Sequence, residues 1–130
     1  VKGYLGKPTI VNNVETLASV IYILRDGVKE YRKFGTEKSP GTKLFAVSGD
    51  VIRPGTYEVP LGYKMIDLIE NECGGLKPGR KLKAVIPGGT SAPVLNADEA
   101  RKATMDYECL ANMGSMLGSG SVVVMDDSRC

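Results

Sequence analysis

The sequence predicts an α+β fold, in which a helical segment precedes a small sheet that is crossed by a helix. Two observations support this prediction. Runs of β-forming residues begin only at Lys43, and before that point apolar residues recur at helical spacing: Val14, Leu17, Ala18, Ile21 and Leu24. The 130 residues are about one domain in size and can bury a modest core. We expect the division to fall between residues 1–41 and residues 42–130.

The first part begins with a loop and continues as a helix. Asn12 is a good N-cap, and Glu15 three residues later completes the pattern of a capping box. Gly27 ends this helix. Residues 28–34 predict a further helical stretch that Gly35 closes, and residues 36–42 predict a linker.

The second part opens with a predicted β-hairpin. Residues 44–51 and residues 57–61 are rich in β-formers and flank the turn signal Arg53-Pro54-Gly55. In this turn Pro54 fixes one φ angle, and Gly55 is expected to supply a positive φ.

The elements after the hairpin complete the predicted sheet. A helix over residues 63–73 ends at Gly74 and Gly75, and a second capping box of Asn96 and Glu99 begins a short helix. The remaining predicted elements are strands at 82–86, 92–95 and 121–125 and partial helix within 105–116. A hairpin, a crossing helix and further strands in this order form the β-grasp arrangement. The last strand is apolar on both faces, which predicts a central place beside the first strand.

Composition excludes several classes of function. Seventeen basic and 15 acidic residues give a net charge of +2, too balanced to indicate nucleic acid or an anionic membrane surface. The apolar runs are too short for a transmembrane span, and no signal peptide is visible.

The absence of an initiator Met suits a fragment of a longer chain. Cys73, Cys109 and Cys130 lack metal-ligand spacing and predict reduced thiols, and no histidine is present.

Two glycine-rich stretches and one helix start are the candidate sites. Residues 114–120 precede a strand and lack a following lysine, so they predict a turn rather than a phosphate loop. Residues 87–91 also favour a turn, although close approach of a ligand is possible there. Asn12 and Asn13 stand at a helix N-terminus, which favours an anion. Residue chemistry alone favours one Asn as a cap and the other as an exposed side chain.

The motifs together resemble a known family. Residues 6–9 (Gly-Lys-Pro-Thr) and 11–16 (Val-Asn-Asn-Val-Glu-Thr) resemble the NADH-binding flavin subunit of complex I-type dehydrogenases, a family related to diaphorase subunits of hydrogenases and formate dehydrogenases. Residues 41–49 and 54–60 resemble the soluble-ligand-binding β-grasp (SLBB) signature, a ubiquitin-like module. Residues 83–89 and 114–120 continue the resemblance in order along the chain.

The resemblance implies a location for the flavin. In the family the Asn-Asn segment lines the FMN site, so the resemblance implies that Val11, Asn12, Asn13 and Thr16 contact FMN. It implies FMN, NAD and a 4Fe-4S cluster in the parent subunit, none of them bound to this fragment alone. The family's glycine-rich nucleotide stretch and cluster cysteines are absent, and Cys130 matches a cysteine that is not a ligand. No catalytic residue and no metal ligand is therefore expected.

Two functions follow as expectations. The first is a scaffold and docking fragment of a subunit that passes hydride from NADH to FMN and electrons on to iron–sulfur centres. Its partners would be the remaining domains of the same subunit and other subunits of the dehydrogenase, with no nucleic acid and no membrane insertion. Its location would be cytoplasmic, and peripheral on the inner face of the membrane if the parent is complex I. The alternative is a stand-alone soluble-ligand-binding β-grasp module, which has no need of the Asn-Asn helix.

Overall fold

A computed structural model describes residues 2–130 as a mixed sheet with short helices. A 3-10 turn at Tyr4–Gly6 comes before the first helix. The helices are α1 (Val14–Asp26), α2 (Val28–Tyr31), α3 (Met65–Asp67), which continues as a π-helical turn (Leu68–Glu72), α4 (Ala97–Lys102) and α5 (Tyr107–Asn112). The strands are β1 (Thr42–Gly49), β2 (Gly55–Pro60), β3 (Leu82–Ile86), β4 (Leu95–Asn96) and β5 (Ser121–Asp126).

The five strands form one sheet in the order β2-β1-β5-β3-β4. Strand β5 pairs in parallel with β1, so that Val47 lies opposite Val122, and pairs antiparallel with β3. The hairpin β1–β2 is antiparallel, as the sequence predicts. The last strand is therefore central and beside the first, which confirms the predicted β-grasp arrangement.

The core lies where the helices cover the sheet. Phe45 of β1 and Val122 and Val124 of β5 are fully buried, and Met65 and Leu68 meet them from the helical side. Both faces of β5 are at least partly covered, because its alternate residues are half-buried. This explains why the sequence of β5 is apolar on both faces.

The connection between β1 and β2 differs from the prediction. Gly55 does not have a positive φ and is instead the first residue of β2. The positive φ of +94° belongs to Gly49, where a Cβ atom would lie 2.1 Å from the backbone oxygen of Val124. The sequence pattern suggested a tight turn at Pro54, whereas residues 50–54 form a longer loop. Glycine is required at the end of β1 because the chain passes directly against β5 there.

The crossing helix is also less regular than the spacing predicts. Residues 63–73 were expected to form one α-helix, but α3 widens at Leu68, and the N–H of Cys73 bonds to the carbonyl of Leu68, 3.1 Å away. This i→i−5 bond is the signature of a π-helical turn. The widening buries Leu68 and Ile69 together, while Ile66 stays only half-buried.

Near β4 one predicted strand boundary is wrong and one predicted helix cap is confirmed. Strand β4 is Leu95–Asn96 rather than residues 92–95. The capping box at α4 forms as predicted: Asn96 Oδ1 accepts from Glu99 N at 2.9 Å, and Asn96 N donates to Glu99 Oε2 at 2.8 Å.

The two glycine-rich stretches pack against each other. The N–H of Ser119 donates to the carbonyl of Gly88 at 3.3 Å. A Cβ atom on Gly118 would lie 2.1 Å from the Gly88 oxygen, and one on Gly88 would lie 2.3 Å from the Met116 oxygen. Both stretches are turns, and their glycines allow two backbones to meet without side chains between them.

The Gly118→Ala variant should therefore lose more stability than a glycine replacement in open space. Gly79 is the matched control, because it also has a positive φ (+79°) but nothing lies within 4 Å of its Cβ position. We expect a cost of about 1–2 kcal/mol for Gly79→Ala from the left-handed backbone alone, and about 1–3 kcal/mol more for Gly118→Ala from displaced backbone. Urea unfolding measures both values, and equal losses would contradict the close packing of the two loops.

An ion pair ties the C-terminal residues to the loop after β1. The Arg129 guanidinium contacts the Asp50 carboxylate, with an Nε–Oδ2 distance of 2.8 Å, and the N–H of Asp126 donates to the same Asp50 oxygen at 3.2 Å. The hydrogen bonds from Arg129 and then from Asp126 lower the pKa of Asp50 to about 2. The carboxylate therefore stays charged under mildly acidic conditions.

We expect the Asp50→Asn variant to be less stable than the parent at neutral pH and equally stable in strong acid. An unfolded Asp has a pKa of about 3.9, so the folded chain binds its proton less readily. The stabilisation is then complete above about pH 4 and is lost as the pH falls towards 2. Acid unfolding curves of both proteins measure this. Glu37→Gln, which removes an exposed carboxylate without a side-chain partner among residues 2–130, should leave the curve unchanged.

Candidate functional site

The candidate site is the start of α1. The helix begins at Val14, and Asn13 is its N-cap: Asn13 Oδ1 accepts from the backbone N–H of Glu15 at 2.8 Å. The prediction that Asn12 caps the helix together with Glu15 is therefore wrong by one residue. The capping box does not form, because the Glu15 side chain bonds to another element instead.

The Glu15 carboxylate joins the helical segment to the sheet. Glu15 Oε2 lies 2.8 Å from Lys43 Nζ, and Oε1 accepts from the backbone N–H of Leu44 at 3.1 Å. Both partners belong to β1, and the Lys43 side chain is only 12% exposed. One carboxylate thus fixes the first turn of α1 on the first strand of the β-grasp module.

The environment of Glu15 keeps it charged. Partial burial by itself raises the pKa of this carboxyl, but the hydrogen bond from Lys43, the N–H of Leu44 and the charge of Lys43 together lower it below its ordinary value. The bridge therefore holds at neutral pH and weakens only when acid protonates Glu15.

The four residues implied to contact flavin are all exposed, but they do not all face one groove. Asn13 and Thr16 line a groove of about 400 Å³ between α1, Lys43 of β1 and Tyr107 of α5. Val11 and Asn12 lie before the helix, in a segment without regular secondary structure, and do not line this groove.

The first turn of α1 retains free donors. Within residues 2–130, the backbone N–H groups of Val14 and Thr16 have no hydrogen-bond acceptor, whereas Asn13 satisfies that of Glu15. Free N–H groups at the positive end of a helix favour an anionic or polar ligand. This chemistry suits the phosphate and ribityl groups of a flavin mononucleotide.

Helix α1 turns its apolar stripe to solvent. The face towards the β-grasp module contains the half-buried residues Glu15, Ser19, Tyr22 and Ile23. Four of the five residues that predicted the helix are on the other side and, with Val28 after the helix, form what we call the apolar stripe: Val14 (76% exposed), Leu17 (51%), Ile21 (67%), Leu24 (81%) and Val28 (59%). Sequence periodicity found the helix but not its contact with β1, because that contact is mainly polar.

The cysteines and carboxylates form no further site in the described residues. Cys73, Cys109 and Cys130 are free thiols, and burial raises the pKa of Cys73. Over residues 2–130 no group of His, Cys, Asp or Glu side chains is arranged to hold a metal ion. No described helix combines the length and the apolar character needed to cross a bilayer.

Comparison with known proteins defines the class of this chain. Residues 43–124 match the family model for the SLBB domain, so the chain belongs to the SLBB domain family. Two of the relatives that match over all 130 residues are F subunits of NADH-quinone oxidoreductases. The one from Rhizobium meliloti (strain 1021) is 51% identical, and the one from Mycobacterium tuberculosis (strain ATCC 25618 / H37Rv) is 45% identical. The chain spans only 31% and 29% of their respective lengths.

A solved structure extends the comparison to three dimensions. The crystal structure of an NAD+-reducing [NiFe]-hydrogenase in the air-oxidized state is similar with a TM-score of 0.79 and 39% identity. The match covers 98% of this chain and 21% of the hydrogenase chain. These findings confirm the resemblance to flavin subunits of the complex I type and the predicted β-grasp class.

The Glu15→Gln variant should loosen α1 without unfolding the β-grasp module. Hydrogen bonds to charged groups contribute about 1.5–3 kcal/mol, and the partial exposure of Glu15 reduces this to about 1 kcal/mol, equivalent to roughly fivefold faster exchange of α1 amide hydrogens. Hydrogen exchange followed by mass spectrometry measures this. Glu30→Gln is the control, because within residues 2–130 Glu30 pairs with Lys33 alone, inside the helical segment. Unchanged exchange in Glu15→Gln would show that the bridge does not hold the helix.

Proposed function

We propose that this chain forms one wall of an FMN pocket and a docking module within a subunit that oxidises NADH. Val11, Asn12, Asn13 and Thr16 would contact the flavin, and the β-grasp module would hold their helix in place. FMN, when bound, would accept hydride from NADH and pass electrons on. The relatives named as NADH-quinone oxidoreductase subunits and the NAD+-reducing hydrogenase support this parent activity.

The observation that carries the proposal is the apolar stripe beside the candidate flavin residues. Its four members within α1 are between 51% and 81% exposed along a single helix. Contiguous exposed apolar surface of this kind marks an interface. The rest of the subunit is the natural occupant, since the chain matches less than a third of each relative. Covering the stripe would bring the other walls of the pocket to the first turn of α1.

The proposed boundary between the two parts lies at Gly41. Residues 1–41 would belong to the flavin-binding domain and residues 42–130 to the SLBB module. The family match begins at residue 43, which supports this division. The N–H of Leu61 donates to the Gly41 carbonyl at 3.0 Å, so the junction is anchored on the module side.

The remaining parts of the parent would supply NAD binding and a 4Fe-4S cluster; residues 2–130 contain no group of His, Cys, Asp or Glu side chains arranged to hold a metal ion. Partners would be the other domains of the same subunit and additional subunits of the dehydrogenase. A cytoplasmic position, peripheral on the inner face of the membrane, would follow if the parent is complex I. The stand-alone ligand-binding alternative has less support, because both relatives match through the Asn-Asn helix as well as the module.

FMN titration followed by flavin fluorescence tests the proposal. The 130-residue chain should show no saturable binding below about 1 mM, because one wall must be ordered unaided. In a full-length subunit carrying this sequence, Asn12→Ala/Asn13→Ala should lower FMN affinity by about tenfold or more, equivalent to the loss of one or two hydrogen bonds to a charged or polar group.

Asn112→Ala in the full-length subunit is the matched control, because Asn112 is an exposed asparagine at the end of α5. Full FMN affinity in the double variant would remove the asparagines from the flavin site. Saturable binding by the 130-residue chain that the double substitution abolishes would show instead that the helix start binds flavin by itself and that no composite pocket is needed.

A further inference from the structure

A second concave surface lies on the β-grasp module, apart from α1. The cleft has a volume of about 520 Å³ and is bounded by α3 with its π-helical turn, the loop before β3, and α4. Its apolar lining is formed by Ile66, Ile69, Leu76 and Leu82. None of the residues lining this cleft lines the groove beside Asn13 and Thr16.

The rim of the cleft is predominantly basic. Lys77, Arg80 and Lys81 lie on the loop before β3, and Arg101 lies on α4. Two carboxylates, Glu70 and Asp98, also line the cleft, so the four cations and two anions leave a charge of +2. The lining of this cleft therefore carries a local excess of positive charge, although the carboxylate of Asp127 lies 3.9 Å from Arg80.

Most of the basic side chains on the rim are free to contact a ligand. Within residues 2–130, the side chains of Lys77, Lys81 and Arg101 make no hydrogen bond or ion pair. Arg80 approaches Asp126 and Asp127 only at 3.9 Å. The free cations can therefore meet carboxylates of another chain without first breaking internal contacts.

The basic loop is held in shape by its backbone. The N–H of Arg80 donates to the Lys77 carbonyl at 3.1 Å, and Gly79 has a φ of +79° in this turn. Lys81 and Asp127 bond reciprocally: Asp127 N reaches the Lys81 carbonyl at 3.0 Å, and Lys81 N reaches Asp127 Oδ1 at 3.3 Å. A loop ordered in advance loses little entropy when a ligand binds.

We propose that this cleft docks an acidic peptide segment of a partner protein, one that carries a large apolar side chain between its carboxylates. The apolar side chain packs over Leu76 and Leu82, while the carboxylates meet Lys77, Lys81 and Arg101. The cations belong to two separate elements, the loop before β3 and α4, and line an open cleft, which favours an extended chain over a small anion. This inference does not depend on the flavin proposal.

The probe is the synthetic peptide acetyl-Asp-Glu-Leu-Phe-Glu-Asp-amide, titrated into the ¹⁵N-labelled 130-residue chain and followed by NMR. We expect saturable shifts at Leu76, Arg80 and Arg101, with a Kd below about 1 mM. Lys77→Glu/Lys81→Glu should weaken binding at least about tenfold, because two attractions become repulsions. Lys29→Glu/Lys38→Glu changes the net charge equally at exposed sites in the helical segment and should leave the Kd within about twofold.

Three results would overturn the proposal. The first is the absence of saturable shifts below about 1 mM, and the second is equal weakening by both double variants, which would reveal only a net-charge effect. The third is equally tight binding by inorganic phosphate or by a peptide with Ser in place of Leu and Phe, since the apolar lining would then contribute nothing. Folding of each variant is checked in the same spectra by the unshifted resonances of β1 and β5.

Discussion

The insertion of β5 between β1 and β3 is the constraint on which the rest of the structure depends. β5 is the last strand in sequence, yet it is the middle strand of the sheet. Val47 pairs with Val122 across 75 residues of chain, and the core side chains Val122 and Val124 come from the same strand. The hairpin and the crossing helix have no complete core until β5 arrives. Such non-local pairing slows folding, because the chain loses the entropy of loop closure before the stabilising contacts form.

The close approach of backbones follows from this insertion. Gly49 meets β5 at the end of β1, and Gly118 meets Gly88 at the turn that leads into β5. In both places a Cβ atom would overlap a carbonyl oxygen. A glycine-rich stretch of this kind could suggest a phosphate loop. Its glycines instead allow the last strand to pack beside its neighbours, because they lie where two backbones are in contact.

The sequence predicted the module better than the site. Short apolar runs bounded by turn signals gave the strands at residues 82–86 and 121–125 almost to the residue, since such runs are typical of buried strands. The π-helical turn at Leu68 and the positive φ of Gly49 could not be predicted, because both depend on tertiary contacts. The cap moved from Asn12 to Asn13 for a related reason: the Glu15 side chain bonds to β1, which no local pattern can indicate.

The chain presents two surfaces with opposite chemistry, and this difference separates their roles. The large exposed side chains of the apolar stripe of α1 carry no charge, so water solvates them poorly. Burying them permanently against another part of a protein is therefore favourable. The cleft near Lys77 has charged groups that water solvates well, so it can stand open between binding events. Stable interfaces are the more hydrophobic ones, whereas charge complementarity mainly supplies specificity and rapid association. The stripe is therefore suited to joining the module permanently to its own subunit, and the cleft is suited to a partner that arrives later and can leave.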